Sequence, residues 1–120
     1  MIFSYKFIYI NYVFPISSSL TILCNVLLFI INPGIIYSGG KNNNEEKIYC
    51  SECKFFYPST NKKMEHCFEC GVCVTNLDHH CDVIGKCVGK YNTCIFVLFT
   101  ITITCFMICS VIIFSIALIS

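Results

Sequence analysis

Apolar positions in this chain fall into two long runs, with a polar, cysteine-rich centre between them. Residues 7–40 carry no charged side chain, and Tyr12–Ile31 is the most apolar part. That length is about the 20 residues a helix needs to cross a bilayer. Pro15 falls near its start, where a first turn tolerates proline. Tyr5, Tyr9 and Tyr12 suit the interfacial level. A secretory signal would carry an apolar core of about 7–15 residues and a small-residue cleavage site. This run is longer and shows no such site, so residues 1–31 are assigned to a membrane-spanning helix. Residues 93–120 form the second run, 28 positions without a charge and dense in Ile, Phe, Val and Leu. They predict a second spanning helix. The hydroxyls of Thr100, Thr102, Thr104, Ser110 and Ser115 are expected to bond back to their own helix. Cys24, Cys105 and Cys109 are read as small apolar packing residues.

Asn32-Pro33-Gly34 ends the first helix, since proline cannot continue it and glycine permits a turn. Residues 32–47 read as a polar linker, of low complexity from Ser38 to Lys47. Residues 48–92 are turn-rich and show no sustained helical or strand period. A segment of this size buries little core and needs a staple, either disulfides or metal. The expected fold is an α-helical integral membrane protein. Two transmembrane helices flank a small, loop-rich, metal-stapled domain.

Composition sharpens this picture. Charged residues make up 12% of the 120 positions, against about 25% in an ordinary soluble domain. All seven acidic residues and seven of the eight lysines lie between Lys41 and Lys90, leaving only Lys6 outside. There is no long basic run, which sets nucleic acid aside as a partner. Two spans place both ends on one side of a membrane, and the lysine excess places the central loop in the cytosol. The cytosol is reducing, so the 11 cysteines read as metal ligands in preference to disulfides.

Spacing supports metal. The centre carries Cys50-x2-Cys53, then His66-Cys67-x2-Cys70-x2-Cys73, then Asp78-His79-His80-Cys81, then Cys87. A Cys-x2-Cys pair supplies two corners of a zinc tetrahedron from one tight turn. Seven cysteines and three histidines give ten candidates, where two four-coordinate sites need eight. The surplus has the composition of a nucleophile and its base. Spacing alone leaves equally open that all ten serve folding.

The pattern resembles the DHHC family of protein S-acyltransferases, or palmitoyltransferases. The resemblance rests on Cys50-x2-Cys53, Pro58, His66-Cys67-x2-Cys70-x2-Cys73-Val74, Asp78-His79-His80-Cys81, Cys87-Val88-Gly89, Asn92 and Phe96. Asn32-Pro33-Gly34 is similar to the family's Asp-Pro-Gly motif. The resemblance implies that residues 1–31 correspond to the family's second span and 93–120 to its third, with the zinc domain at 48–92. It implies two structural zinc ions, one on Cys50, Cys53, His66 and Cys73, the other on Cys67, Cys70, His80 and Cys87. It further implies that Cys81 is the nucleophile, His79 its base and Asp78 the orienting carboxylate. The cosubstrate would be a fatty acyl-CoA such as palmitoyl-CoA, and the acceptors cysteines of membrane-associated proteins. The Golgi, endoplasmic reticulum and plasma membrane are the compartments it implies.

Some positions depart from that pattern. Where the family has Pro-Trp-x-x-Asn after the reactive cysteine, this chain has Asp82, Val83, Ile84, Gly85 and Lys86. Asp82 is expected to disfavour a thiolate on Cys81, with Lys86 as a compensating charge. The stretch between Cys53 and His66 reads as a tolerated loop insertion. The chain stops after one span beyond the zinc domain. The corresponding expectations are a fragment of a longer acyltransferase, a chain completed by a partner that supplies spans, or a weak or inactive zinc-binding membrane scaffold.

Overall fold

The computed structural model of the chain describes residues 2–37, 47–58 and 63–119. Most of the low-complexity stretch, residues 38–46, and residues 59–62 of the insertion before His66 lie outside the described residues. The chain divides into two compact units. One comprises the chain up to Leu28 and from Ile95 onward; the other is Phe29–Cys94.

The first unit is helical. Helix α1 (Ile2–Ile8) runs through a π-helical turn, Tyr9–Val13, into α2 (Phe14–Ile30). Pro15 therefore lies inside a long helical segment and not in a first turn, as its position in the apolar run predicted. A proline inside a helix strips one carbonyl of its donor and crowds it. The wide turn just before Pro15, closed by Phe14 N–H to the Tyr9 carbonyl, is where the ladder absorbs that misfit. Helix α3 spans Thr93–Ile119. Ser4–Ile30 and Thr93–Ile119 are each 27 residues long, with mean hydropathy 2.1 and 2.6, long and apolar enough to cross a membrane.

Both helices hide their hydroxyls as expected. Thr100, Thr102, Thr104, Ser110 and Ser115 each donate to a carbonyl three or four residues back, and Ser17, Ser18 and Thr21 do the same. Packing between the helices includes Phe14 against Phe106, ring centroids 5.4 Å apart, and the Tyr9 hydroxyl 3.6 Å from Cys109 Sγ. Cys24 and Cys109 are buried as predicted, whereas Cys105 is exposed.

The second unit is built from three antiparallel hairpins: β2 (Lys47–Cys50) with β3 (Phe55–Pro58), β4 (Met64–Cys67) with β5 (Val72–Thr75), and β6 (His79–Cys81) with β7 (Lys86–Val88). Strands of three or four residues are too short to show a period, which is why the sequence reads as loop. A seventh strand, β1 (Ile35–Ile36), pairs with β5. Residues 32–37 thus belong to the domain and not to the linker predicted over 32–47. Asn32 Oδ1 accepts from the Gly34 and Ile35 N–H groups, both at 2.8 Å. The Gly34 carbonyl accepts from Thr75 N–H at 3.0 Å.

A close approach locks this segment against the hairpins. A Cβ on Gly89 would lie 2.6 Å from the Pro33 carbonyl oxygen and 2.7 Å from Val74 Cγ1. Glycine alone permits that contact. Three residues on, the fully buried Asn92 side chain accepts from Gly89 N–H at 2.8 Å and donates to the Cys87 carbonyl at 2.9 Å. This fixes the end of β7 to the start of α3.

Candidate functional site

The three hairpins share one turn design. Cys50 pairs with Phe55, Cys67 with Val72 and Cys81 with Lys86, so each turn closes over four residues. The last turn residue is left-handed in every case: Lys54 at φ 57°, Gly71 at 66° and Gly85 at 63°. In the first two turns its N–H donates to the carbonyl of the leading cysteine, at 2.9 Å and 2.8 Å. Such a turn points the Sγ atoms of residues i and i+3 toward one spot, as a zinc tetrahedron requires.

The first and second turns each meet a cross-strand pair from the next hairpin. His66 and Cys73 stand directly opposite in β4–β5, and His80 and Cys87 in β6–β7. The first cluster is Cys50, Cys53, His66 and Cys73; the second is Cys67, Cys70, His80 and Cys87. In the first, His66 Nδ1 lies 3.7, 3.3 and 3.8 Å from the sulfurs of Cys50, Cys53 and Cys73. In the second, His80 Nδ1 lies 3.6, 3.2 and 3.9 Å from those of Cys67, Cys70 and Cys87. Bonds of about 2.0–2.3 Å to a central zinc give tetrahedral edges of about 3.5–3.8 Å, so both clusters fit that ion. All cysteines are free thiols. Cys70 and Cys73, a Cys-x2-Cys pair in sequence, serve different clusters.

Thiol electrostatics agree with a metal role. The Cys53 N–H lies 3.5 Å from Cys50 Sγ and holds the Cys50 thiol below its ordinary value. Burial, reinforced by the neighbouring Cys50 thiol, pushes Cys73 up to about 12. Burial and then Cys70 push Cys87 well above its ordinary value. Without a cation Cys73 and Cys87 stay protonated; a bound metal ion is what would make them thiolates.

Cys81 is the exception that defines the site. It occupies the leading-cysteine position of the third turn, yet lies in neither cluster. The turn position that holds Cys53 and Cys70 in the other hairpins is Ile84 here. The repeat was readable in the sequence: His66-Cys-x2-Cys-Gly-x-Cys73 against His80-Cys-x2-Ile-Gly-x-Cys87. Cys-x2-Cys spacing alone does not reveal it; the flanking His, Gly and Cys do.

Strand alternation sorts β6. Successive side chains point to opposite faces, so His80 faces the second cluster while His79 and Cys81 share the other face. His79 Nδ1 lies 3.1 Å from Asp78 Oδ2, with both side chains partly exposed. The Asp78 backbone is held by its N–H donating to the Val88 carbonyl at 2.9 Å. Asp82, expected to act on Cys81, turns its carboxylate toward His80, with Oδ1 3.8 Å from Nε2. That is the ring nitrogen facing away from the sulfurs.

The family model for the DHHC palmitoyltransferase matches residues 43–120. The chain belongs to this family. Similar curated proteins include palmitoyltransferase ZDHHC9 of Danio rerio, 44% identical over 64 residues, which are 52% of this chain and 16% of that protein. Palmitoyltransferase PFA3 of Debaryomyces hansenii is 36% identical over 66 residues, 55% of this chain and 16% of its own. Human palmitoyltransferase ZDHHC14 is 41% identical over 56 residues, 47% of this chain and 11% of its own. The aligned part of this DHHC chain thus spans under a fifth of each relative's length.

Proposed function

We propose that this DHHC chain carries the catalytic centre of a protein S-acyltransferase that moves a fatty acyl group from acyl-CoA to a protein cysteine. One observation carries the reading. Cys81 holds a zinc-turn position without a zinc cluster, on the face of β6 that also presents His79, itself paired with Asp78. A thiol left out of metal binding beside an oriented imidazole is a nucleophile with its base.

With the proton on Nδ1 held by Asp78, Nε2 is the basic nitrogen of His79. It takes the Cys81 proton as the sulfur attacks the thioester carbonyl of acyl-CoA. The carbon–sulfur bond to CoA breaks, and the leaving thiolate takes that proton back. An acceptor protein's thiol then repeats the exchange, releasing Cys81. Zinc held by Cys50, Cys53, His66 and Cys73 and by Cys67, Cys70, His80 and Cys87 would be structural, since four protein ligands each would leave no open position. The spans at Ser4–Ile30 and Thr93–Ile119 would lie in a Golgi, endoplasmic reticulum or plasma membrane bilayer, with the zinc domain in the cytosol. Membrane-associated proteins are the acceptors that such an orientation offers.

The test is a hydroxylamine-sensitive acyl label on the purified chain. Wild type is expected to take the label from palmitoyl-CoA and Cys81→Ser to take none. Equal labelling of both would overturn the proposal.

A further inference from the structure

Neither thiol cluster nor the Asp78–His79 pair uses Lys86, yet it stands directly across the β6–β7 ladder from Cys81. Its ammonium donates to the Ile31 carbonyl at 2.9 Å and to the Phe29 carbonyl at 3.2 Å. The last carbonyls of a helix have no partner within it, and a cation there also meets the negative end of the helix dipole. All three residues belong to the same compact unit. Among the described lysines of that unit, Lys86 is half-buried while Lys47, Lys54, Lys63 and Lys90 are exposed.

We propose that Lys86 is a positioning residue for acyl transfer. By locking β7 to the carbonyls where the chain leaves α2, it holds the half of the hairpin that faces Cys81. The nucleophile then keeps one place relative to that exit point. The role rests on the acyl-transfer reading given above.

The experiment uses the full chain in lipid nanodiscs as wild type, Lys86→Met and Lys86→Arg. Zinc content, amide hydrogen exchange over β6–β7, and palmitoyl-CoA labelling of Cys81 are measured on each. All three are expected to hold about two zinc ions per chain. Lys86→Met should exchange β6–β7 amides about tenfold faster, the scale of a lost charge-assisted hydrogen bond. Its maximal labelling rate should fall while the half-saturating acyl-CoA concentration stays put. Lys86→Arg, which keeps a cationic donor, should recover both. A labelled wild type with an equally protected, equally labelled Lys86→Met overturns the role alone. So does zinc loss in Lys86→Met, or a Lys86→Arg chain no better than Lys86→Met. A wild type that takes no label overturns the acyl-transfer reading and the role with it.

Discussion

His80 and Cys87 stand directly opposite in the β6–β7 ladder, ring Nδ1 and Sγ 3.9 Å apart. One position earlier, His79 lies on the other face of the same strand. The period of a β-strand thereby turns two adjacent histidines to opposite faces, and only His80 reaches a thiol cluster.

Replacing each histidine should separate the two roles. His80→Ala removes a ligand and should lower zinc from about two ions per chain to about one, with loss of exchange protection over β6–β7. His79→Ala should keep both ions and lose acyl labelling by about 10²–10⁴-fold, the range for one acid–base group. Metal analysis beside labelling reads both. Zinc loss in His79→Ala would mean that the assignment is reversed.

Metal loading should depend on pH in a definite direction. In the metal-free protein Cys73 is pushed up to about 12 and Cys87 is raised as well, so both are protonated at pH 7. Each zinc must displace at least one proton from its cluster, and falling pH must weaken binding. For the stripped domain the sign is opposite. A raised thiol value stabilises it below the ordinary value of 9.0, and that contribution is lost as pH rises through about 12. A dye-monitored zinc titration at pH 6, 7 and 8, and circular dichroism of stripped protein at alkaline pH, measure the two arms.

The hairpin repeat predicts a gain of metal. Ile84→Cys puts a second thiol three residues after Cys81, on a turn already shaped like the two zinc turns. The variant should bind additional cadmium, seen as a sulfur-to-metal absorption band, and lose acyl labelling in proportion. A chelator that strips only this weaker two-thiol site should restore the label. An unchanged cadmium stoichiometry would show that Ile84 does not occupy a ligand position.

Gly89→Ala should destabilise the zinc domain without touching either cluster. Its Cβ would meet the Pro33 carbonyl at 2.6 Å and Val74 at 2.7 Å, and both belong to packed structure. Overpacking of this kind costs about 1–3 kcal/mol. Thermal unfolding of the zinc-loaded chain should show the loss, and a variant as stable as wild type would refute the close packing.

The candidate ligands could be read from sequence because a zinc tetrahedron would constrain spacing more tightly than packing does, and the family resemblance sorted them into two sets. Cys50, Cys53, His66 and Cys73 meet as the family resemblance implied, and so do Cys67, Cys70, His80 and Cys87. The hairpins that carry them could not be read. Sulfur and imidazole replace the apolar alternation that normally marks a strand. Strand β1 was hidden for a related reason: two residues, Ile35 and Ile36, make no pattern. Pro15 misled because the wide turn that absorbs it has no sequence signature. From sequence, Asp82 is expected to act on Cys81, with Lys86 as a compensating charge. Folding instead sends Asp82 to His80 and Lys86 to the end of α2.

The direction in which the clusters join the hairpins has a consequence for biosynthesis. The first and second turns each meet a cross-strand pair from the hairpin that follows, never from one before. A chain emerging from its N-terminus can therefore close link by link, each zinc ion acting on segments already made. The hairpin of Cys81 is the last link. With zinc in both clusters as proposed, a nascent chain starved of the metal would stall before that hairpin is fixed, and Cys81 would take its place only after both clusters had closed.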